Sequence, residues 1–223
     1  MIKAVLFDIG GTLVKTVEIP EIYRRILETQ GVIVSRDQIK EAHEANEDRA
    51  GSYIDDQLEM GPQYWYEWNK QVMKSLGFAE RSKYLGMIIA DYWWEYADLE
   101  LYPDVMTTIQ ALRARDIKVG VLTNGFKYDY IAILEKLGLS KTFDVVVGPD
   151  SCGYGKPDKR IFMYALDTLG LDPSEVLYIG NDYKYDYLGA SNAGLQPLLV
   201  GRDREFPDDV PVITRLEQVL DYI

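Results

Sequence analysis

The stretch Val5-Leu6-Phe7-Asp8-Ile9-Gly10-Gly11-Thr12-Leu13 decides the fold of this chain. Its apolar run ends abruptly at Asp8, and two glycines and a threonine follow. An apolar run of this length bounded by glycine is typical of a strand buried on both faces of a parallel sheet. Ligands of open parallel sheets bind just beyond the carboxyl ends of the strands. Asp8 is therefore a candidate for chemistry, and the alternative is an acidic residue that opens a surface loop.

Length, charge and composition restrict the classes of function. The 223 residues suffice for one core and a small second subdomain, and the net charge of −12 argues against nucleic acid or an anionic membrane as a partner. The single cysteine, Cys152, excludes a disulfide framework, and the single histidine, His43, is expected to be solvated. We find no apolar run near 18 residues and no leader-like N-terminal pattern, so a cytoplasmic protein is expected, as a monomer or homodimer.

Hydrophobic periodicity divides the chain into two regions. Residues from about 18 to 98 show helical spacing without strands. Beyond Leu101 strands and helices alternate, a pattern that predicts βαβ crossovers and a parallel sheet to which the first strand also belongs. The expected strands after the first are residues 118–122, 145–147, 176–179, 197–200 and, as a short last one, 212–213. The sequence therefore predicts an α/β fold with a helical insertion after the first strand.

Three later strand ends have polar residues that match Asp8 in character. Thr123-Asn124 follows the second predicted strand, Lys156 lies in a glycine-rich loop after the third, and Asp182 and Asp186 follow the fourth. The carboxyl ends of parallel strands meet at one edge of the sheet, so these groups are expected to come together. A carboxylate nucleophile, a hydroxyl donor and a lysine suit phosphoryl transfer. Mg²⁺ fits a site made of carboxylates, substrate phosphate and water.

Taken in order, these motifs resemble those of the haloacid dehalogenase superfamily over nearly the whole chain. The four family motifs are matched by Asp8 with Gly10 and Thr12, by Thr123, by Lys156 in a Gly-Lys-Pro context, and by Asp182 with Asp186 followed by Gly189-Ala190. The resemblance implies a Rossmann-like core, residues 1–16 and 99–223, and a helical cap of the C1 type, residues 17–98.

The same resemblance implies an activity and a set of site residues. The expected enzyme is a Mg²⁺-dependent phosphatase that hydrolyses a small phosphorylated metabolite through an aspartyl-phosphate intermediate. The implied catalytic residues are Asp8, Thr123 and Lys156; the phosphate-binding residues are Gly11, Thr123, Asn124 and Lys156; the metal ligands are Asp8, Gly10, Asp182 and Asp186, with Asn181 as a rival ligand.

Two positions depart from the family pattern. Gly10 stands where family phosphatases have a second aspartate that acts as general acid and then as base. Such a group typically contributes about 10²–10⁴-fold in rate, so activity toward sugar or alcohol phosphates is expected to be weak. Asn181 stands where many members have the first metal-binding aspartate. What replaces the missing acid at position 10 is left open.

Four alternatives remain beside the phosphatase. A degenerate, non-catalytic binding protein would explain Gly10 and Asn181, whereas a dehalogenase would not need the acidic pair. A phosphonate hydrolase would use a lysine in the helical region as a Schiff base. The octet from Asp8 to Lys15 also resembles the phosphate-binding hairpin of actin-like-fold kinases, although no glycine-rich nucleotide motif follows.

Overall fold

The computed structural model describes residues 1–47, 62–202 and 205–223, and the chain divides into two units. The core unit consists of Met1–Lys15 and Glu100–Ile223, and the helical unit consists of Thr16–Leu99. None of the helices in the described ranges is both long and apolar enough to cross a membrane.

A six-stranded sheet forms the centre of the core unit. The strands of the core are β1 (Ala4–Phe7), β2 (Val14–Lys15), β3 (Glu100–Leu101), β4 (Lys118–Leu122), β5 (Val145–Val147), β6 (Val176–Gly180), β7 (Gln196–Val200) and β8 (Val212–Ile213). The six-stranded sheet has the order β5-β4-β1-β6-β7-β8, and each neighbouring pair is parallel. A separate antiparallel pair is formed by β2 and β3. The α/β class and the predicted strands are confirmed.

Helices connect the strands of the core and make up the helical unit. The α-helices are α1 (Ile19–Thr29), α2 (Arg36–Glu47), α3 (Pro62–Ser75), α4 (Ser82–Tyr96), α5 (Val105–Arg113), α6 (Lys127–Lys136), α7 (Pro149–Cys152), α8 (Lys159–Leu169) and α9 (Gly189–Asn192). Short 3₁₀ segments occupy Ala79–Arg81, Pro173–Glu175 and Leu216–Tyr222, and Tyr183–Leu188 is a π-helical turn. The sequence predicts a helix only near Ala190; the helical segment begins earlier because Asp182 caps its N-terminus.

The register of the central strands places the candidate residues at one edge of the sheet. Phe7, the last residue of β1, lies opposite Val121 of β4 and Ile179 of β6. All four residues of β1 and all five of β6 are buried. A central parallel strand buried on both faces is uniformly apolar, which explains the run that precedes Asp8.

The helical unit has its own apolar interior. Tyr23, Ile26, Val72, Leu85 and Ile89 are buried in it. Ser35 and Gln38 form the predicted capping box at the start of α2: the Ser35 hydroxyl accepts a hydrogen bond from the Gln38 N–H, and the Gln38 side chain accepts one from the Ser35 N–H.

The expectation that His43 is solvated is wrong. The imidazole is half-buried, and its ring meets those of Tyr23 at 6.0 Å and Trp68 at 5.5 Å. Burial lowers the pKa of His43 below its ordinary value, so the neutral ring is favoured. His43 therefore packs within the interior of the helical unit.

Candidate active site

A buried ion pair between Asp8 and Lys156 lies at the carboxyl edge of the sheet. The Lys156 ammonium donates to Asp8 Oδ1 over 2.7 Å, and each of the two residues is 7% exposed. The Asp8 N–H donates to the carbonyl of Ile179, so the hydrogen bonding between β1 and β6 extends to this residue. The carboxylate therefore stands on a fixed backbone at the point predicted from the sequence.

Lys156 has an acceptor for each of its three ammonium protons. Its Nζ atom lies 2.7 Å from Asp8 Oδ1, 2.6 Å from Asp186 Oδ1 and 3.0 Å from the hydroxyl of Tyr178. Two carboxylates therefore share one ammonium, so this buried cluster of ionised groups has an excess negative charge. We call Asp8, Lys156, Asp186 and Tyr178 the charged cluster.

Burial and neighbouring charges shift the pKa values in the charged cluster. Burial raises the pKa of Asp8 to about 6; the Lys156 ammonium lowers it and the Asp186 carboxylate raises it. Burial disfavours the charged form of Lys156, but the combined effect of the two neighbouring carboxylates is larger, so the pKa of Lys156 is raised. Burial, together with the same carboxylates, raises the pKa of Tyr178 well above its ordinary value, so the phenol stays protonated.

Asn124 holds the backbone of the loop that presents Lys156. Its amide Nδ2 donates to the Lys156 carbonyl over 3.0 Å, and its Oδ1 accepts from the Lys156 N–H over 2.6 Å. Thr123, directly before it, extends the pairing of β4 with β5 through its N–H, and its hydroxyl accepts from the Gly125 N–H. These contacts bring the ends of β4 and of the Lys156 loop together, and a phosphate-binding role for Asn124 stays a prediction.

The two acidic residues of the fourth motif have different environments. Asp186 is 1% exposed, and each carboxylate oxygen has two donors: Oδ1 has Lys156 and Tyr178, and Oδ2 has the N–H groups of Asn181 and Asp182. Asp182 instead caps the following helical turn, since its Oδ1 accepts from the N–H groups of Lys184 and Tyr185. Asp186 thus organises the charged cluster, and Asp182 organises the helix start.

The glycines after Asp8 have contrasting surroundings. Gly11 has a positive φ of 72°, and a Cβ built there would lie 2.0 Å from Asn181 Nδ2. Its N–H donates to the Val14 carbonyl over 2.7 Å, so this amide, expected to bind phosphate, is engaged within the loop. A Cβ at Gly10 would meet nothing within 4 Å. Close packing thus requires glycine at position 11, while position 10 has room for a side chain.

Comparison with known proteins identifies the family. Residues 2–194 match the haloacid dehalogenase-like hydrolase family. This chain belongs to that family. As a haloacid dehalogenase-like hydrolase with a parallel six-stranded sheet, it is not an actin-like-fold kinase, so that alternative is wrong.

Relatives of this haloacid dehalogenase-like hydrolase include two proteins named glyceraldehyde 3-phosphate phosphatase. The one from Methanothermobacter thermautotrophicus is 28% identical over 207 residues, which are 91% of this chain and 87% of the relative. The one from Methanopyrus kandleri is 29% identical over 234 aligned positions, which cover 100% of this chain and 97% of the relative. The fold is also similar to that in the crystal structure of the HAD-hydrolase YfnB from Bacillus subtilis. The superposition covers 99% of this chain and 98% of the YfnB chain, with a TM-score of 0.79 and 19% sequence identity, and shows a shared Rossmann-like fold.

Two contributors to the site of this haloacid dehalogenase-like hydrolase are not among the sequence-predicted residues. Tyr178 belongs to the charged cluster, and the one signal for it is a hydroxyl within the otherwise apolar run of β6. Arg202 donates a hydrogen bond to the Thr12 carbonyl over 3.1 Å. It also makes a bidentate ion pair with Asp104, in which both N–O distances are 2.8 Å. Arg202 thereby ties the loop that contains Gly10 and Gly11 to the start of α5.

The side chains of the site offer oxygen ligands of the kind that a magnesium ion binds. In the described part of the chain, no three histidine, cysteine, aspartate or glutamate side chains form a metal-binding group. A Mg²⁺ ion, however, usually takes one or two carboxylates and leaves other positions to water and substrate phosphate. The excess negative charge of the charged cluster favours a cation beside Asp8, so the residues present fit such an ion.

Proposed function

We propose that this hydrolase is a Mg²⁺-dependent phosphatase that forms an aspartyl-phosphate on Asp8. The observation that carries this proposal is the buried Asp8 carboxylate, held by Lys156 over 2.7 Å at the end of the central strand. By analogy with the relatives named glyceraldehyde 3-phosphate phosphatase, the substrate is a small phosphorylated metabolite, with a three-carbon phosphate as the first candidate.

In the first step, an Asp8 carboxylate oxygen attacks phosphorus and the bond from phosphorus to the leaving oxygen breaks. Lys156 offsets charge on the phosphoryl oxygens, and the Thr123 hydroxyl donates to one of them. Water then attacks phosphorus and the bond from phosphorus to the Asp8 oxygen breaks, so that inorganic phosphate leaves, solvent takes up the proton of the water and the Asp8 carboxylate is restored. With Gly10 in place of an acid, the leaving oxygen takes its proton from solvent, so good leaving groups react fastest.

The residues proposed to hold Mg²⁺ are Asp8, the carbonyl of Gly10 and a side chain after β6. Of the two candidates there we favour Asn181, because its side chain lies against Gly11 while Asp182 Oδ1 is engaged as a helix cap. Asp186 supports this part of the site, because its Oδ2 accepts hydrogen bonds from the N–H groups of Asn181 and Asp182. When bound, the ion supplies Lewis-acid polarisation of the phosphoryl oxygens.

The helical unit, Thr16–Leu99, is proposed to act as the substrate-selecting cap that the family resemblance implies. A cytoplasmic location belongs to the same proposal, since the one cysteine fits a reducing compartment. A second candidate function is that of a degenerate family member that binds a ligand without turnover. Gly10 favours it, because that position lacks the acid of the family pattern.

Hydrolysis assays with three-carbon phosphates, aryl phosphates and 2-haloacids test the proposal. The parent protein is expected to release phosphate with Mg²⁺ and to lose activity with EDTA. Asp8→Asn is expected to lower kcat by at least about 10³-fold, as for loss of a nucleophile. The matched control is Asp167→Asn, at an exposed position of α8, which should retain activity. If Asp8→Asn and the parent have equal rates, Asp8 is not the nucleophile. If no phosphate is hydrolysed, the second candidate function, a degenerate binding protein, is supported. Release of halide from a 2-haloacid would indicate a dehalogenase.

A further inference from the structure

Tyr178 is a polar group in the interior of the sheet. Its ring is completely buried in β6 and meets the ring of Phe162 edge-on at 5.2 Å. Its hydroxyl lies 3.0 Å from Lys156 Nζ, 2.9 Å from Asp186 Oδ1 and 3.0 Å from the carbonyl of Leu122. A phenylalanine would preserve the ring contact, so packing alone does not explain a hydroxyl here.

The direction of each hydrogen bond follows from what its partner can do. An ammonium can only donate, so the phenol oxygen accepts from Lys156. A carbonyl and a carboxylate can only accept, so the phenol shares its single proton between the Leu122 carbonyl and Asp186 Oδ1. Tyr178 therefore links the ammonium to the end of β4, where Thr123 follows directly.

The three acceptors around Lys156 come from different elements. Asp8 follows β1, Asp186 lies in the turn after β6, and the Tyr178 hydroxyl reaches the ammonium from within the sheet. A lysine side chain has four flexible carbon–carbon bonds, so its ammonium needs several contacts to be held at one place. Without the Tyr178 hydroxyl, only two of these three acceptors, Asp8 and Asp186, would remain for the three ammonium protons.

We propose that Tyr178 is a positioning residue that holds the Lys156 ammonium at the point where charge develops on the transferred phosphoryl group. This inference rests on the proposed phosphatase function. Tyr178 acts through Lys156 and does not touch the substrate. Its loss should therefore impair the transition state more than the binding of phosphate, because a freed ammonium can still follow a bound phosphate but no longer stands preorganised.

The test compares Tyr178→Phe with the parent and with Tyr164→Phe, which removes an exposed tyrosine hydroxyl from α8. For each protein, kcat and KM for an aryl phosphate and the inhibition constant of inorganic phosphate are measured with Mg²⁺ present. Since a hydrogen bond to a charged group is lost, kcat of Tyr178→Phe should fall about tenfold or more. Its phosphate inhibition constant should stay within about threefold. Tyr164→Phe should match the parent.

A folded Tyr178→Phe protein with unchanged kcat would overturn the proposal. Equal losses in kcat and in phosphate affinity would also overturn it, because they would show a general collapse of the phosphate site. If Tyr178→Phe does not fold, 3-fluorotyrosine at this position keeps the hydroxyl but makes its oxygen a poorer acceptor: a lower kcat is expected, and an unchanged one contradicts the proposal. A parent protein that hydrolyses no phosphate ester would instead overturn the proposed function and this inference together.

Discussion

The side-chain amide of Asn181 occupies the space that a Cβ atom at Gly11 would need. The distance from that ideal Cβ to Asn181 Nδ2 is 2.0 Å, far inside van der Waals contact. The two residues follow β1 and β6, which are paired neighbours in the sheet. This contact couples the loop after Asp8 to the loop after β6. A substitution that adds a side chain at Gly11 should therefore disturb both loops.

Gly11→Ala is therefore expected to destabilise the protein and to displace Asn181. The positive φ should lower the free energy of unfolding of the alanine variant by about 1 kcal/mol, and the clash of its Cβ with Asn181 by about another 1–3 kcal/mol. The matched control is Gly138→Ala, because Gly138 has nearly the same φ of 70° but nothing within 4 Å of a built Cβ. Urea unfolding measures both variants, and the Mg²⁺ concentration for half-maximal activity should rise only for Gly11→Ala. Equal destabilisation and equal Mg²⁺ dependence in the two variants would contradict this expectation.

Gly10→Asp is expected to improve turnover of substrates with poor leaving groups. The space beside Gly10 is open, so an aspartate fits there and can supply the missing acid and base. The rate on an alkyl phosphate should rise by up to about 10²-fold, while the rate on an aryl phosphate, which needs little acid catalysis, should change much less.

Initial rates on the two phosphate classes, at saturating Mg²⁺, check the Gly10→Asp prediction. Gly10→Asn serves as the control, because it has a similar volume but no acidic proton. A similar gain in both variants would assign the effect to shape and not to acid catalysis. Loss of activity on both substrate classes would show that the loop does not accept a side chain.

The ion pair between Asp104 and Arg202 predicts a pH-dependent stability. Burial disfavours the charged carboxylate, but the Arg202 guanidinium and the Leu216 N–H prevail and lower the pKa of Asp104. A lowered folded-state pKa contributes stability above the unfolded value of about 4 and loses it as the pH falls through the folded value. Asp104→Asn should thus reduce the free energy of unfolding by about 2–3 kcal/mol at pH 7.

The difference between Asp104→Asn and the parent should shrink as the pH falls below about 4, because the carboxylate of the unfolded parent takes up a proton there and the folded one does so only at its lower pKa. Urea unfolding at pH 7 and at pH 3 measures both free energies. Asp167→Asn, at an exposed position of α8, should show almost no difference at either pH. A constant deficit for Asp104→Asn across this range would rule out the ionised carboxylate as its cause.

The sequence alone determined the class of fold and predicted which residues follow the central strands. Uniform apolar runs distinguish buried parallel strands from the amphipathic helices between them, and these local patterns depend little on the rest of the chain. Parallel strands end at a common edge, so the positions of Asp8 and Lys156 after their strands were enough to predict that these two residues meet. The spacing of short motifs therefore carried the three-dimensional information.

Only the tertiary structure decided how those residues are held. Lys156 lies 148 positions from Asp8 and 22 from Tyr178, and no local pattern reveals that one ammonium has both as partners. The division of roles between Asp182, a helix cap, and Asp186, the centre of four hydrogen bonds, likewise depends on the direction of each side chain. Such directions follow from packing and from the need to satisfy every buried polar group, and these are properties of the whole fold.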